Sequence, residues 1–532
     1  MKILQKLGIG LCLTGFVVLF ISLKAGHYEL TNQVIETAIS KRYHKEAIIS
    51  VENQMIEIQY ESNTSFIKSL QKLLKDAQLI NELNLKQLKR LPYATTEWDY
   101  RISENDIKNY TYEITRAAQT GGLIVESTRW IFMTFGLIII GALLYILPKQ
   151  DELPGIKNNN IFHRTMQSRG WLGILLGSFL IGFYIVLYWY PEYITSWIHL
   201  TDPLSRFLSG NNASQWFLYG TLYTIAVLVM GIRMLIKYRN NNYQMVRTAS
   251  VMFFQTAFAF LIPEILVRLN QPYFDFKNMW PLKYDFFFEW NLNTLLNSGH
   301  LGLFMLVWGI ALFALGVPIL TYFFGKRWYC SWVCGCGALA ETLGDPFRQL
   351  SDKRLIAWKI ERWVIHLVLV FAIVMTGLVL YTYFTGKSQI AGIDSYSIRK
   401  WYGFGIGSIF AGVIGTGFYP LMGSRTWCRF GCPLAAYLGL VQRYKSRFRI
   451  TVNGGQCISC GNCSTYCEMG IDVRSYAQKG QDIVRSSCVG CGLCAAVCPR
   501  GVLKLENASA DISDRTKQTR TQMIEMDDIK GF

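Results

Sequence analysis

Fourteen cysteines punctuate the 532-residue chain, and eight of them fall in two runs of identical spacing. The first is Cys457-x2-Cys460-x2-Cys463-x3-Cys467; the second is Cys488-x2-Cys491-x2-Cys494-x3-Cys498, followed by Pro499. Three thiolates two residues apart can wrap one corner of an iron–sulfur cube through a tight, amide-rich loop. Gly461, Gly490 and Gly492 supply the close backbone approach such a loop needs. A fourth ligand must come from elsewhere to close the cage. One C-x2-C is a zinc half-site, and cysteines in an oxidising compartment pair as disulfides. Two complete runs point instead to two [4Fe–4S] clusters. The first run continues Cys467-Glu468-Met469 where the second has Cys498-Pro499, a difference at one turn that keeps every ligand.

A second constellation lies upstream. Arg327-Trp328-Tyr329-Cys330-Ser331-Trp332-Val333-Cys334-Gly335-Cys336 and Trp427-Cys428-Arg429-Phe430-Gly431-Cys432-Pro433 each contain a C-x3-C pair after a Trp and an apolar run. The match reads as an internal repeat. Cys330, Cys334, Cys428 and Cys432, with Cys336 as a further thiol, are candidates for a third cluster. Copper(I) bound through soft thiolates, dithiol redox chemistry and plain buried cysteine are the alternatives.

The elements that position these residues are apolar. Hydrophobic residues make up 51% of the chain and aromatic ones 14%, which excludes an ordinary soluble enzyme. Runs long enough to cross a bilayer are expected at 7–23, 129–147, 170–190, 216–236, 247–268, 300–323, 361–385 and 402–421. The first follows Lys2 and Lys6 and lacks a small-x-small cleavage site, so it reads as an uncleaved anchor. The expected fold is therefore an α-helical polytopic membrane protein of about eight spans with a C-terminal α+β ferredoxin-type domain. Its parts are an anchor (1–23), an outer helical domain (24–128), a membrane bundle (129–421), a C-x3-C-Pro segment (422–450), the double-cluster domain (451–506) and a polar tail (507–532).

Charge sets the orientation. Segments 148–169, 237–247, 324–360 and the stretch after 421 are rich in Lys and Arg, whereas 191–215 and 269–299 are not. The positive-inside rule then places both termini and 13 of the 14 cysteines in the cytoplasm of a bacterial inner membrane, with Cys12 inside the first span. A reducing cytoplasm keeps those thiols free for metal. The net charge of +17 follows from this topology and requires no nucleic acid. In the outer stretch, Phe66, Leu70, Leu73, Ala77 and Ile80 recur at helical spacing, with no nucleophile or phosphate loop beside them. The aromatic loop 273–290 reads as an interfacial anchor or an outer docking face. His300 and His366 fall near opposite ends of their spans, a poor arrangement for a shared haem. Glu264 and Arg268, one turn apart, read first as a structural ion pair and second as a quinol pocket.

The order of spans, C-x3-C, spans, C-x3-C-Pro and a double ferredoxin run, over roughly residues 300–505, resembles the polyferredoxin-like membrane proteins of anaerobic respiration. That group includes the accessory membrane protein of nitrous oxide reductase, the quinol-oxidising membrane subunit of periplasmic nitrate reductase and the cytochrome oxidase accessory ferredoxin. In bacterial-type ferredoxins the fourth Cys of each run ligates the other cluster. The resemblance thus implies one cluster on Cys457, Cys460, Cys463 and Cys498 and another on Cys488, Cys491, Cys494 and Cys467. It also implies electron transfer between a quinol or cytoplasmic donor and a periplasmic reductase, nitrous oxide reductase first. The chain departs from the pattern at Gly335-Cys336, where Pro is usual, and it has no Ser/Thr-Gly-Ala-Thr flavin attachment motif. A copper-reducing assembly factor and an iron–sulfur redox sensor are the rival functions.

Overall fold

The computed structural model describes residues 3–23, 26–51, 58–88, 101–121, 129–148, 170–387, 389–390 and 392–507. Most of the basic segment 148–169 and the tail from 508 onward lie outside these residues. The chain divides into two units: 1–148 with 185–222, and 149–184 with 223–532.

The first unit begins with α1 (Ile3–Ser22). A three-stranded antiparallel sheet of order β2-β1-β3 follows, from β1 (His27–Glu29), β2 (Gln59–Tyr60) and β3 (Gln119–Gly121). Around it pack α2 (Asn32–Ala38), α3 (Arg42–Ile49), α4 (Asn63–Leu88) and α5 (Glu104–Ala117). The apolar period of α4 does its work here: Phe66, Leu70, Leu73 and Ala77 are buried with Ile35, Ile48 and Ile114 in one core. The start of α5 is fixed by a capping box, in which Asp106 Oδ2 accepts from the Ser103 amide at 2.9 Å. Two further helices complete the unit, α6 (Leu137–Ile146) and α7 (Thr195–Leu208). Arg116 of α5 is held to Asp202 of α7 at 2.8 Å.

Helix α1 packs on α6 through small residues. A Cβ built on Gly8 would meet Gly141 O at 2.6 Å and Tyr145 N at 2.9 Å, so the two backbones touch. Cys12 donates to Ile138 O at 3.3 Å, a structural use of the one cysteine outside the motifs. Gly8→Leu forces those backbones apart and is expected to cost about 1–3 kcal/mol. A detergent melt of the variant should show it, and an unchanged melting temperature would count against this packing.

The second unit holds the cysteine motifs. Across the described residues five helices are long and apolar enough to cross a membrane: Ile3–Ser22, Gln215–Lys237, Asn242–Arg268, Gly299–Phe324 and Leu355–Thr385. A sixth is a pair bent by 110°, Gly173–Trp189 with Pro191–Leu208. The expected eight are not reached. Near 129–147 the apolar helix is shorter, Phe132–Ile146. Near 402–421 the polar helix Ser395–Tyr402, which carries Arg399 and Lys400, runs into an apolar π-helical stretch, Gly403–Ile414. Leu355–Thr385, here α8, buries Val368, Leu369, Ala372, Met375 and Val379, while Leu367, Val370 and Val374 on its other face stay at least half exposed. An apolar face left uncovered along a helix of this length is what lipid contact requires.

The aromatic loop differs from its expected place at a membrane surface. Phe274, Met279, Phe286 and Phe288 are buried. Trp308 Nε1 donates to Phe276 O at 2.8 Å, and Trp280 Nε1 donates to Thr376 Oγ1 at 3.0 Å, both partners lying well inside long helices. The loop folds back into the bundle, and only residues such as Tyr273 and Trp290 are left exposed. Its aromatic residues fill space between helices, where each apolar ring stabilises more than it could in a surface loop.

After α9 (Pro433–Lys445), the chain enters the double-run domain through β4 (Phe448–Val452) and leaves it through β5 (Leu503–Asn507). The two strands pair antiparallel from Phe448↔Asn507 to Val452↔Leu503, so the domain opens and closes at one place.

Candidate metal centres

Each cysteine run folds into a short turn followed by one helical turn, Asn462–Thr465 in the first and Leu493–Ala496 in the second. Gly461 (φ 80°) and Gly492 (φ 74°) hold equivalent left-handed positions just before those turns. A side chain at either would be strained. Two cavities result. One is walled by Cys457, Cys460, Cys463 and Cys498. The other is walled by Cys467, Cys488, Cys491 and Cys494. Three donors of each set come from one run and the fourth from the other. Burial pushes the Cys463 and Cys488 thiols up to about 11, so binding metal there must displace protons.

The two C-x3-C pairs also come together. Cys330, Cys334, Cys428 and Cys432 are all buried and share one core with Met279, Trp427 and cysteines of the double-run domain. The repeat is structural as well as sequential. Cys334 takes the N-cap position of helix Gly335–Glu341 and Cys432 that of α9, where its Sγ accepts from the Ala435 amide at 3.4 Å. In the second copy Pro433 takes the first helical position, as its missing N–H permits. In the first copy Gly335 takes it, and a Cβ there would lie 3.2 Å from Gln255 Oε1 and 3.7 Å from Lys277 Nζ. Gly335 O also accepts from Tyr223 Oη at 2.6 Å. A side chain there would press on the flexible end of Gln255, which would have to give by a few tenths of an ångström.

Cys336 has a different part from the other four thiols. Its hydrogen bond to Cys334, helped by the Gly337 amide and by Lys277 and Arg425, lowers the Cys334 thiol against the effect of burial. Cys330 is instead pushed up to about 12 by burial. Lys277 comes from the inward-folded aromatic loop, paired with Asp275 at 3.1 Å. Nothing in its local sequence marks it; only the fold brings a cation from that loop to the thiols.

Between the C-x3-C thiols and the second cavity lies a buried charge network. Arg425 donates to Cys330 O at 3.1 Å and to Glu341 Oε1 at 2.6 Å, stands 3.8 Å from Cys428 Sγ, and pairs with Glu468 Oε1 at 3.0 Å. Arg348 donates to Glu468 Oε2 at 2.5 Å and to Asp345 Oδ1 at 2.9 Å, and it also pairs with Glu341. Arg247 pairs with Glu341 at 2.5 Å, and Asp345 takes Arg233 and Lys237 at 3.1 and 2.7 Å. Burial opposes ionisation of Glu341, yet Arg247, Arg348 and Arg425 hold its carboxyl well below the usual range. Glu468, the residue standing where the second run has proline, is thus the double-run domain's contribution to this network. The departure at that turn is an ion-pair anchor.

The network carries a charge excess: five cations surround three carboxylates. Arg247 lies at its edge, 1% exposed, with none of its three guanidinium nitrogens in hydrogen-bond geometry despite the ion pair. Cys491 is among the charges it faces, and Glu341, Glu468 and Cys491 place ligand atoms within 4.8 Å of one another. A cube bound by four thiolates is an anion, and a buried guanidinium beside one of its donors suits it. Among the described residues, no three cysteine sulfurs approach within 4.8 Å. Each of the two cavities is lined by the four thiols that one cube takes. The donors fit [4Fe–4S] clusters.

The double-run domain is tied to the rest of its unit by backbone acceptors on the cysteine loops themselves. Ser331 Oγ donates to Val489 O at 2.7 Å, Gln244 Nε2 to Cys491 O at 2.8 Å, and Gln442 Nε2 to Cys488 O at 2.8 Å. Each removes a carbonyl from competition with the amides that face the cavity.

Comparison with known proteins agrees with this chemistry. The family described as 4Fe-4S dicluster domain matches residues 450–505. The family described as 4Fe-4S binding domain matches twice, at 306–354 and 403–451, once around each C-x3-C pair. A putative electron transport protein, YccM of Escherichia coli (strain K12), is 28% identical over 164 residues, covering 29% of this chain. The chain spans 44% of the length of that relative. No solved structure matches. These similarities support an iron–sulfur electron-transfer protein.

Proposed function

We propose that the chain is a multi-pass carrier of single electrons at the cytoplasmic membrane, drawing on a quinol or cytoplasmic donor and serving a periplasmic reductase. In this reading Cys457, Cys460, Cys463 and Cys498 hold one cluster, and Cys488, Cys491, Cys494 and Cys467 a second. Cys330, Cys334, Cys428 and Cys432 hold a third, with Cys336 donating to Cys334. A [4Fe–4S] cluster supplies a one-electron couple whose potential depends on net charge, burial and hydrogen bonds to sulfur. The protein's own part is to set those terms. Arg425 reaches both Cys428 Sγ and Glu468, the neighbour of Cys467, and so fixes the spacing of two thiol sets. Lys277 and Arg247 bring positive charge to Cys334 and Cys491. The observation that carries the proposal is the pair of four-cysteine cavities linked to a third thiol set by one buried ion network.

Nitrous oxide reductase is the first candidate for the acceptor, on the motif order alone. Copper handling at the soft C-x3-C thiols is the alternative reading. Sealed vesicles test the carrier reading. With a reduced donor on the cytoplasmic face, wild type should support steady reduction of an outer acceptor, and Cys491→Ala should abolish most of that flux. Flux untouched by Cys491→Ala, with copper in the purified protein, would select the assembly-factor reading. Orientation is checked by thiol labelling. Residues from Cys457 onward should be reachable from the cytoplasmic side, and a C-terminal reporter active only outside would overturn the geometry.

A further inference from the structure

An open cavity of about 220 Å³ borders the sites already described, sharing Met469 with the second cysteine cavity and Cys428 with the C-x3-C set. Two helices build its walls. On α8, Trp358, Glu361, Arg362 and His366 line it at helical spacing; on α9, the small side chains of Ala435, Ala436 and Gly439 leave the space. Lys326 and Arg443 add two more cations. Its one carboxylate, Glu361, is already neutralised by Arg429 at 2.7 Å. Arg485 stands close by, 4.9 Å from the Trp358 ring. The His366 Nδ1 atom is buried with no hydrogen-bond partner. The cavity is therefore cationic, rich in donors and short of acceptors.

Its depth follows from the helix. The 31 residues of α8 extend about 46 Å, against roughly 30 Å of hydrocarbon. Lys359, Glu361 and Arg362 fall within its first turns beside exposed Leu355, Ile356 and Ile360, and the exposed apolar surface runs on through Trp363, Leu367 and Val370. The cavity thus falls at headgroup level.

We propose that this cavity binds a phosphate anion, presented as the headgroup of an anionic membrane phospholipid. Lys326, Arg362 and Arg443 face the phosphate oxygens, His366 Nδ1–H donates to one of them, and the exposed apolar stripe of α8 carries the acyl chains. The site needs no metal and stands independently of the electron-transfer reading.

Native mass spectrometry of the full-length protein in detergent tests it, with phosphatidylglycerol, cardiolipin or phosphatidylcholine added. Wild type should retain the anionic lipids and release phosphatidylcholine. Arg362→Gln and Arg443→Gln should each weaken retention about fivefold, the worth of one basic group near an anionic surface. Lys359→Gln, on the same helix but outside the cavity, should not. If Arg362→Gln fails to fold, Arg443→Gln, on an exposed position of α9, carries the test alone. Displacement of lipid by millimolar inorganic phosphate would keep the anion chemistry and reassign its source to free phosphate. Equal retention of phosphatidylcholine, anionic lipid held undiminished by both variants, or displacement by a neutral quinone analogue would overturn the proposal.

Discussion

Glu468→Ala is expected to destabilise the second unit strongly. Glu468 is buried and meets two arginines, Arg348 at 2.5 Å and Arg425 at 3.0 Å, neither of them exposed. Removing the carboxylate strands two guanidinium groups in a region that already has more cations than acids. Breaking a buried pair in this way costs about 3–5 kcal/mol, most of it the penalty of the charge left behind. Glu468→Gln keeps the shape and one acceptor and should fall between. Glu468→Pro, which copies the second run, should be as damaging as alanine, because proline suits the turn but not the arginines. Melting in detergent and iron retention at the second cavity report the effect. Wild-type melting and iron in Glu468→Pro would show that the network is not what holds the domain in place.

Replacing Cys428 and Cys432 together with serine should remove about four iron and four sulfide from a total of about twelve each, leaving about eight. These thiols belong to the set that includes Cys330 and Cys334, and neither lines the cavities of the double-run domain. The loss should therefore be confined to one cube. The matching change at Cys488 and Cys491 should remove a different four and spare the C-x3-C set. An iron count unmoved by the Cys428 and Cys432 replacements would reject the third cluster and leave those thiols a structural or dithiol role.

The metal chemistry was the most legible part of this chain because ligand spacing is local. A turn with three cysteines two residues apart has few other uses, and the C-x3-C repeat announced itself the same way. The amphipathic period of Phe66 to Ala77 was equally direct. What escaped the sequence came from tertiary contact. Lys277 sits in an aromatic stretch with the composition of a membrane-surface loop, and only the inward fold through Trp280 and Phe276 brings it to Cys334. Glu468 was visible as a departure from pattern, yet its meaning needed Arg348 and Arg425, each far away in the chain. The stretch after Tyr402 is apolar enough to suggest a span, but it follows a helix carrying Arg399 and Lys400, so no single long apolar helix forms there among the described residues. Gly335 likewise packs close to Gln255, Lys277 and Tyr223, neighbours that only the fold reveals.

The most direct test of the central claim is quantitative electron paramagnetic resonance of the anaerobically purified full-length protein during a reductive titration. One-electron reduction of each [4Fe–4S] cluster gives a paramagnet, so the reduced protein should show about two to three spins per chain, with magnetic coupling between the pair in the double-run domain. Cys491→Ala should remove one of them. A protein that carries zinc or copper in place of iron, or that takes up no electrons at any accessible potential, would contradict the account.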